Sequence, residues 1–259
     1  MAFAQTAARR PIAGAVATLG VSDRVAFLRK TYGLLGVSLI AFAALTAGFM
    51  GLATETSLRF SAWAAFSGPW NWLIVLGLFM LVGYIAQRLA FSPSSRGTQL
   101  FGLCLAVVAQ AVLLQPLLWV VILRFGNRAM LSSGVLMSGQ VASILGQAVV
   151  ITLAIFIGLT LTVFLTKKDF SFLRGALTIA AFAALGVILA AAFFGFSLGA
   201  LFAGAMILVM AGYILYQTSL VMSHFPPQAF VAAALMLFST IATLFWYVLQ
   251  LVMSLNDRR

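Results

Sequence analysis

The chain has 259 residues, of which 64% are apolar and 7% charged, and its formal net charge is +11. A soluble domain is about half apolar and about a quarter charged, so this composition cannot build a water-facing shell and marks an integral membrane protein. The basic excess does not indicate a nucleic-acid partner. The fifteen Lys and Arg are scattered among the segments between apolar runs and make no continuous basic face, so membrane lipids with anionic headgroups suit them better.

In chain order, residues 1–30 come first. Arg9 and Arg10 precede a mildly apolar stretch over 11–19, but Gly14, Thr18, Gly20 and Asp23 make a poor export core. The expectation is a cytosolic tail that ends in an interfacial helix, where Val25, Phe27 and Leu28 alternate with Arg24, Arg29 and Lys30. A spanning helix needs roughly 20 mostly apolar residues. Seven runs meet that length, at about 31–53, 70–91, 99–124, 140–165, 170–194, 197–222 and 228–254. They define a transmembrane domain over 31–254, followed by a short tail over 255–259.

The breaks between runs have physical causes. Pro69, Pro93 and the Pro226–Pro227 pair lack the amide hydrogen that a continuing helix uses, and 92–97 reads as a turn. Lys167, Lys168 and Asp169 interrupt the apolar sequence with three charges, which would each cost several kcal/mol at mid-bilayer. Runs five and six are separated only by Gly195 and Phe196, where a tight hairpin is expected because more than fifty apolar residues cannot cross once. Small residues recur in these two runs, at Ala180, Ala181, Ala183, Ala184, Ala190 to Ala192, Ala200 and Gly204. They suit close helix contact, and are equally what membrane helices carry by composition.

With the N-terminus inside, ten bases are cytoplasmic: Arg9, Arg10, Arg24, Arg29, Lys30, Arg88, Arg96, Lys167, Lys168 and Arg174. Five fall on the other side: Arg59, Arg124, Arg128, Arg258 and Arg259. The asymmetry favours a cytoplasmic N-terminus and, after seven crossings, an external C-terminus.

Counting residues removes most membrane chemistry. Cys104 is the only cysteine and His224 the only histidine, so cysteine clusters and zinc sites with two imidazoles are excluded, and no metal or other cofactor is expected. His224 lies in a Pro-rich turn rather than beside a buried serine, so a serine intramembrane protease lacks its base. No GxxxxGK sequence occurs. The four acids, Asp23, Glu55, Asp169 and Asp257, all fall outside the apolar runs, which removes the paired aspartates of an aspartyl protease and the intramembrane acid usual in ion-driven transport. The polar residues left inside are neutral: Gln110, Gln115, Gln147, Tyr216, Gln217, Thr218, Ser239, Thr240 and Thr243. Amides and hydroxyls of this kind glue helices together or line a narrow path. Gln217 and Thr240 lie on consecutive runs either side of 224–227, roughly 12 Å and roughly 20 Å from that turn at about 1.5 Å per residue. They can meet only if the connection is partly extended or a third helix bridges them.

Five segments together resemble the Bax inhibitor-1 / YccA family, also called the transmembrane Bax inhibitor motif family, from about residue 24 onward. They are Leu28-Arg29-Lys30-Thr31-Tyr32, Leu114-Gln115-Pro116-Leu117-Leu118, Thr166-Lys167-Lys168-Asp169-Phe170-Ser171-Phe172-Leu173, Gly212-Tyr213-Ile214-Leu215-Tyr216-Gln217-Thr218-Ser219 and Leu244-Phe245-Trp246-Tyr247-Val248-Leu249. The loop with Lys167, Lys168 and Asp169 is the most specific match. The resemblance implies an all-α, seven-helix membrane bundle with the seventh helix largely enclosed, and Ala232 to Ala234 make that helix slender enough to be so.

Members of that family that leak calcium carry a proton-sensitive pair of acids in spans six and seven. Those positions read Gln217 and Thr240 here, and neither can ionise. The loss shifts the implied function from a cation (calcium) leak or a small-solute transporter, which stays the alternative, to the branch that modulates a membrane-anchored protease of the FtsH type in the bacterial inner membrane. Asp169 is expected to cap the start of span five, at the positive end of its helix dipole.

Overall fold

The computed structural model describes residues 20–92, 95–127, 136–166 and 168–257. Arg9, Arg10, Pro93, Arg128, Lys167, Arg258 and Arg259, with most of the expected N-terminal tail, lie outside the described residues. Within them the chain is helical, with no strand. Its long helices are α1 (Val21–Gly51), α3 (Pro69–Ala90), α4 (Arg96–Phe125), α5 (Gly139–Thr166), α6 (Leu173–Phe194), α7 (Ala200–Ser223) and α8 (Phe230–Asn256). A short α2 (Thr54–Ser61) continues as a π-helical turn over Ala62–Phe66, between the first two spans. All seven long helices are apolar and long enough to cross a bilayer.

The seven expected spans are therefore present, and three boundaries differ. α1 begins at Val21, so 24–30 forms its first turns rather than a separate interfacial helix. No Gly or Pro interrupts 21–32, and one of its basic residues packs on an aromatic ring: the Lys30 ammonium lies 5.9 Å from the Phe230 ring centroid. The turn between α6 and α7 is longer than a tight hairpin. Gly195 ends α6 in the left-handed region at φ 73°, and α7 starts only at Ala200. Asp169 is not the cap of α6, whose N-cap is Phe172 with no side-chain bond.

α8 runs through the middle, touching α1, α3, α4, α5 and α7. Its first half supplies Ala232, Ala233 and Ala234, all fully buried, and small side chains let neighbouring backbones approach where lipid gives no hydrophobic drive to helix association. α4 is enclosed to a similar degree: 67% of its most apolar stretch is buried, against 61% for α8. The two are joined near both ends. Arg96 donates to the Gln228 carbonyl at 3.1 Å just before α8, and Arg124 pairs with Asp257 at 2.7 Å at the far end. By contrast α6 packs chiefly on α7 and α3.

Candidate functional site

α7 carries Gln217, Thr218 and Ser219 in succession, and a helix turns each residue by about 100°, so the three face different neighbours. Gln217 faces α8, where the Thr240 hydroxyl donates to its side-chain carbonyl at 2.8 Å, with both side chains buried. The same hydroxyl lies 3.2 Å from the Met236 carbonyl of its own helix, so its proton is aimed chiefly across the interface. The depth offset read from the sequence is absorbed by the connection: His224 (φ −125°) and Pro226 (ψ 153°) are not helical, and a 3-10 turn over Pro227–Ala229 follows. The partly extended link that contact required is present.

Thr218 faces α1 and α5. The Tyr32 hydroxyl approaches the Thr218 and Thr160 hydroxyls, yet none of the three has a hydrogen bond of proper length and angle. Ser219 faces the loop that precedes α6. Its hydroxyl accepts from the Phe170 amide at 3.1 Å and donates to the Asp169 carboxylate at 3.3 Å. Asp169 also accepts from the Ser171 amide at 2.8 Å, so it shapes the turn and ties it to α7. Lys168 and Asp169 are exposed.

A second polar cluster lies in α4. Pro116 interrupts the helix interior, where it removes one backbone bond and crowds the preceding turn. Next to it, the Gln115 amide donates to the Ala111 carbonyl at 3.0 Å and its carbonyl accepts from Ser57 of α2 at 2.8 Å. The Trp119 indole in turn donates to Ser57 at 2.9 Å. Ser57 is thus donor and acceptor at once, and it holds α2 down on the bundle. The sequence reading singled out Gln115 but not Ser57, Trp119, Ser219 or Tyr32. Ser219 stood within the quoted span-six segment, and Ser57 and Ser61, both buried, have the four-residue spacing of one helix face.

None of the four acids enters the bundle. Asp23, Glu55 and Asp169 are exposed, and Asp257 follows the end of α8, paired with Arg124. The centre between α7 and α8 therefore offers dipoles without charge. It cannot gain or lose a proton near neutral pH as a carboxylate pair does, nor offer the anionic oxygens that divalent cations prefer.

An all-α bundle of seven apolar crossings with neutral polar contacts buried at its centre defines a multi-pass membrane protein. The family model described as "Inhibitor of apoptosis-promoting Bax1" matches residues 24–257, and the chain belongs to this Bax inhibitor-1 family. It is similar to Bax inhibitor 1 of Schizosaccharomyces pombe, at 29% identity over 93% of this chain and 81% of that protein. It is also similar to mouse protein lifeguard 4, at 26% identity over 94% and 91% of the two chains. An uncharacterized protein of Pseudomonas aeruginosa is 34% identical over 42% of this chain and 49% of its own length. No solved structure matches significantly.

Proposed function

We propose that this chain is a non-enzymatic regulator of membrane-protein quality control, acting by association with a membrane-anchored AAA protease of the FtsH type in a bacterial inner membrane. The observation that carries this reading is the Thr240–Gln217 hydrogen bond. Two neutral side chains satisfy each other where a leak of the family's acidic type would place carboxylates, so the polar centre acts as an internal fastener. The name of the fission-yeast relative, Bax inhibitor 1, is that of a protein acting on another protein, which favours a regulatory role over a catalytic one. The charge pattern favours a cytoplasmic N-terminus. Arg24, Arg29, Lys30, Arg88, Arg96, Lys168 and Arg174 gather at the bundle end where α1 begins, and Arg59 and Arg124 at the opposite end.

The test has two arms on one preparation. Tagged protein solubilised from native membranes in mild detergent co-purifies with the protease, and deleting the gene alters turnover of other membrane proteins. In liposomes the wild type passes no calcium at any pH between 5 and 8, whereas Gln217→Asp introduces a carboxylate and with it a pH-dependent flux. Absence of protease together with unchanged turnover rejects the proposal. Wild-type calcium flux that changes with pH replaces it with the leak.

A further inference from the structure

α1 and α5 both pack against α8, but between them the bundle opens into a cavity of about 760 Å³ in the half of the molecule where α1 ends. That volume lies in the range of about 300–1,000 Å³ typical of sites that bury a whole ligand. Ala43 and Ala47 of α1 form one wall, Val149 and Leu153 of α5 the other, and Leu118 of α4 and Ala242 of α8 the floor. Ala43 and Ala47 set its width, because their short side chains leave the space that larger residues occupy elsewhere along the helix. Along α1 the cavity runs from Leu39 to Gly51, a length of about 18 Å at about 1.5 Å per residue. One leaflet of the hydrocarbon core is about 15 Å deep, half of about 30 Å.

The cleft's rims continue directly into the surface that faces the bilayer. Ile40 on one lip is 72% exposed and Met137 at the mouth 58% exposed, and both belong to helices long and apolar enough to span the membrane or to the segment that leads into one. The medium against that surface is hydrocarbon. We propose that the cleft between α1 and α5 is a binding site for one acyl chain of a membrane phospholipid, drawn from the leaflet on the side where α1 ends. Its walls offer dispersion contact on three sides of the chain, whereas a chain on the outer surface has protein on one side only, and that difference selects the cleft. The inference is independent of the protease proposal and of Gln217 and Thr240.

Native mass spectrometry of the full chain in mild detergent tests it. Wild-type protein retains one phospholipid through activation that strips loosely held lipid. Ala43→Phe and Ala47→Phe place a ring in the cleft from exposed positions and lower the lipid-bound fraction by about ten-fold or more. Ala44→Phe lies on the same helix, is also exposed and is not part of the lining, so it retains the lipid as wild type does. Three results overturn the proposal: wild type without a retained phospholipid, retention unchanged in both cleft variants, or a doubled mass that both variants abolish, which assigns the cleft to a second copy of the chain. Electron spin resonance with a chain-labelled phospholipid in vesicles repeats the comparison without detergent. There the motionally restricted signal falls in the cleft variants only, and equal signals in all four proteins reject the site.

Discussion

α4 and α8 differ from α6 in a way that apolarity does not foretell. α6 has the higher mean hydropathy, yet 11% of its most apolar stretch is buried, against 67% and 61% in the other two. In water the most apolar segment would be the core. In hydrocarbon the solvent is as apolar as leucine, so shape and polar pairing decide which helix goes inside. α8 brings its three-alanine run and Thr240, and α4 brings Gly102, Gln115 and Pro116, whereas α6 turns Ile179, Phe182 and Phe193 toward lipid. The largest expected effect follows from this contrast. Phe238 on α8 is fully buried and meets Phe42 edge-on at 5.8 Å, so Phe238→Ala should cost about 3–5 kcal/mol. Phe182→Ala on α6, at a residue 72% exposed, should leave stability unchanged, because lipid replaces the lost ring. Unfolding in graded denaturing detergent measures both, and equal losses would remove the distinction between inner and outer helices.

Two glycines extend the comparison to backbone approach. A Cβ at Gly102 of α4 would lie 2.6 Å from the Ala86 carbonyl oxygen and 2.9 Å from the Ala90 amide nitrogen of α3, and backbone cannot step aside. A Cβ at Gly212 of α7 would meet the end of the Leu177 side chain on α6 at 2.9 Å, and a flexible side-chain end can shift where backbone cannot. Gly102→Ala should therefore cost about 1–3 kcal/mol, and Gly212→Ala well under about 1 kcal/mol. Thermal aggregation midpoints of the two variants check the order.

The seven crossings were legible because hydrocarbon demands long apolar helices and charges mark their ends: Pro69 opens α3, and the charged segment between Thr166 and Leu173 separates α5 from α6. Enclosure of the seventh helix was legible through its alanines and the family resemblance. Equal enclosure of α4 was not, since Gly102 reads as an ordinary glycine until α3 is laid against it. α2 escaped notice because it is too short to span and its membership in the bundle rests on Ser57, whose partners Gln115 and Trp119 are 58 and 62 residues away. For Gln217 and Thr240 the sequence supplied the candidates and the condition for their meeting, while the non-helical backbone at His224 and Pro226 supplied the contact.

Ser57 tests whether a peripheral element depends on the inner helices. Ser57→Ala removes the donor to Gln115 and the acceptor for Trp119 together, leaving two buried polar groups unpaired at about 1–3 kcal/mol, reduced toward about 1 kcal/mol by the weaker net worth of such bonds in membranes. The loss should be local. Hydrogen exchange should accelerate over 54–66 and stay unchanged in α8, and acceleration throughout α8 would mean that α2 supports the whole bundle.

The smallest expected effect belongs to the pair at the centre. A hydrogen bond between membrane helices is worth about 0.6 kcal/mol on average, so Thr240→Val and Gln217→Leu should each destabilise slightly. The double variant should cost less than the sum of the two, because each single change leaves one polar group unpaired and the double change leaves none. A positive coupling of about 0.6 kcal/mol identifies the pair as a fastener between α7 and α8. Additive losses would mean that Gln217 and Thr240 answer to other partners, and the neutral centre would then have to be read as part of a path rather than as a closure.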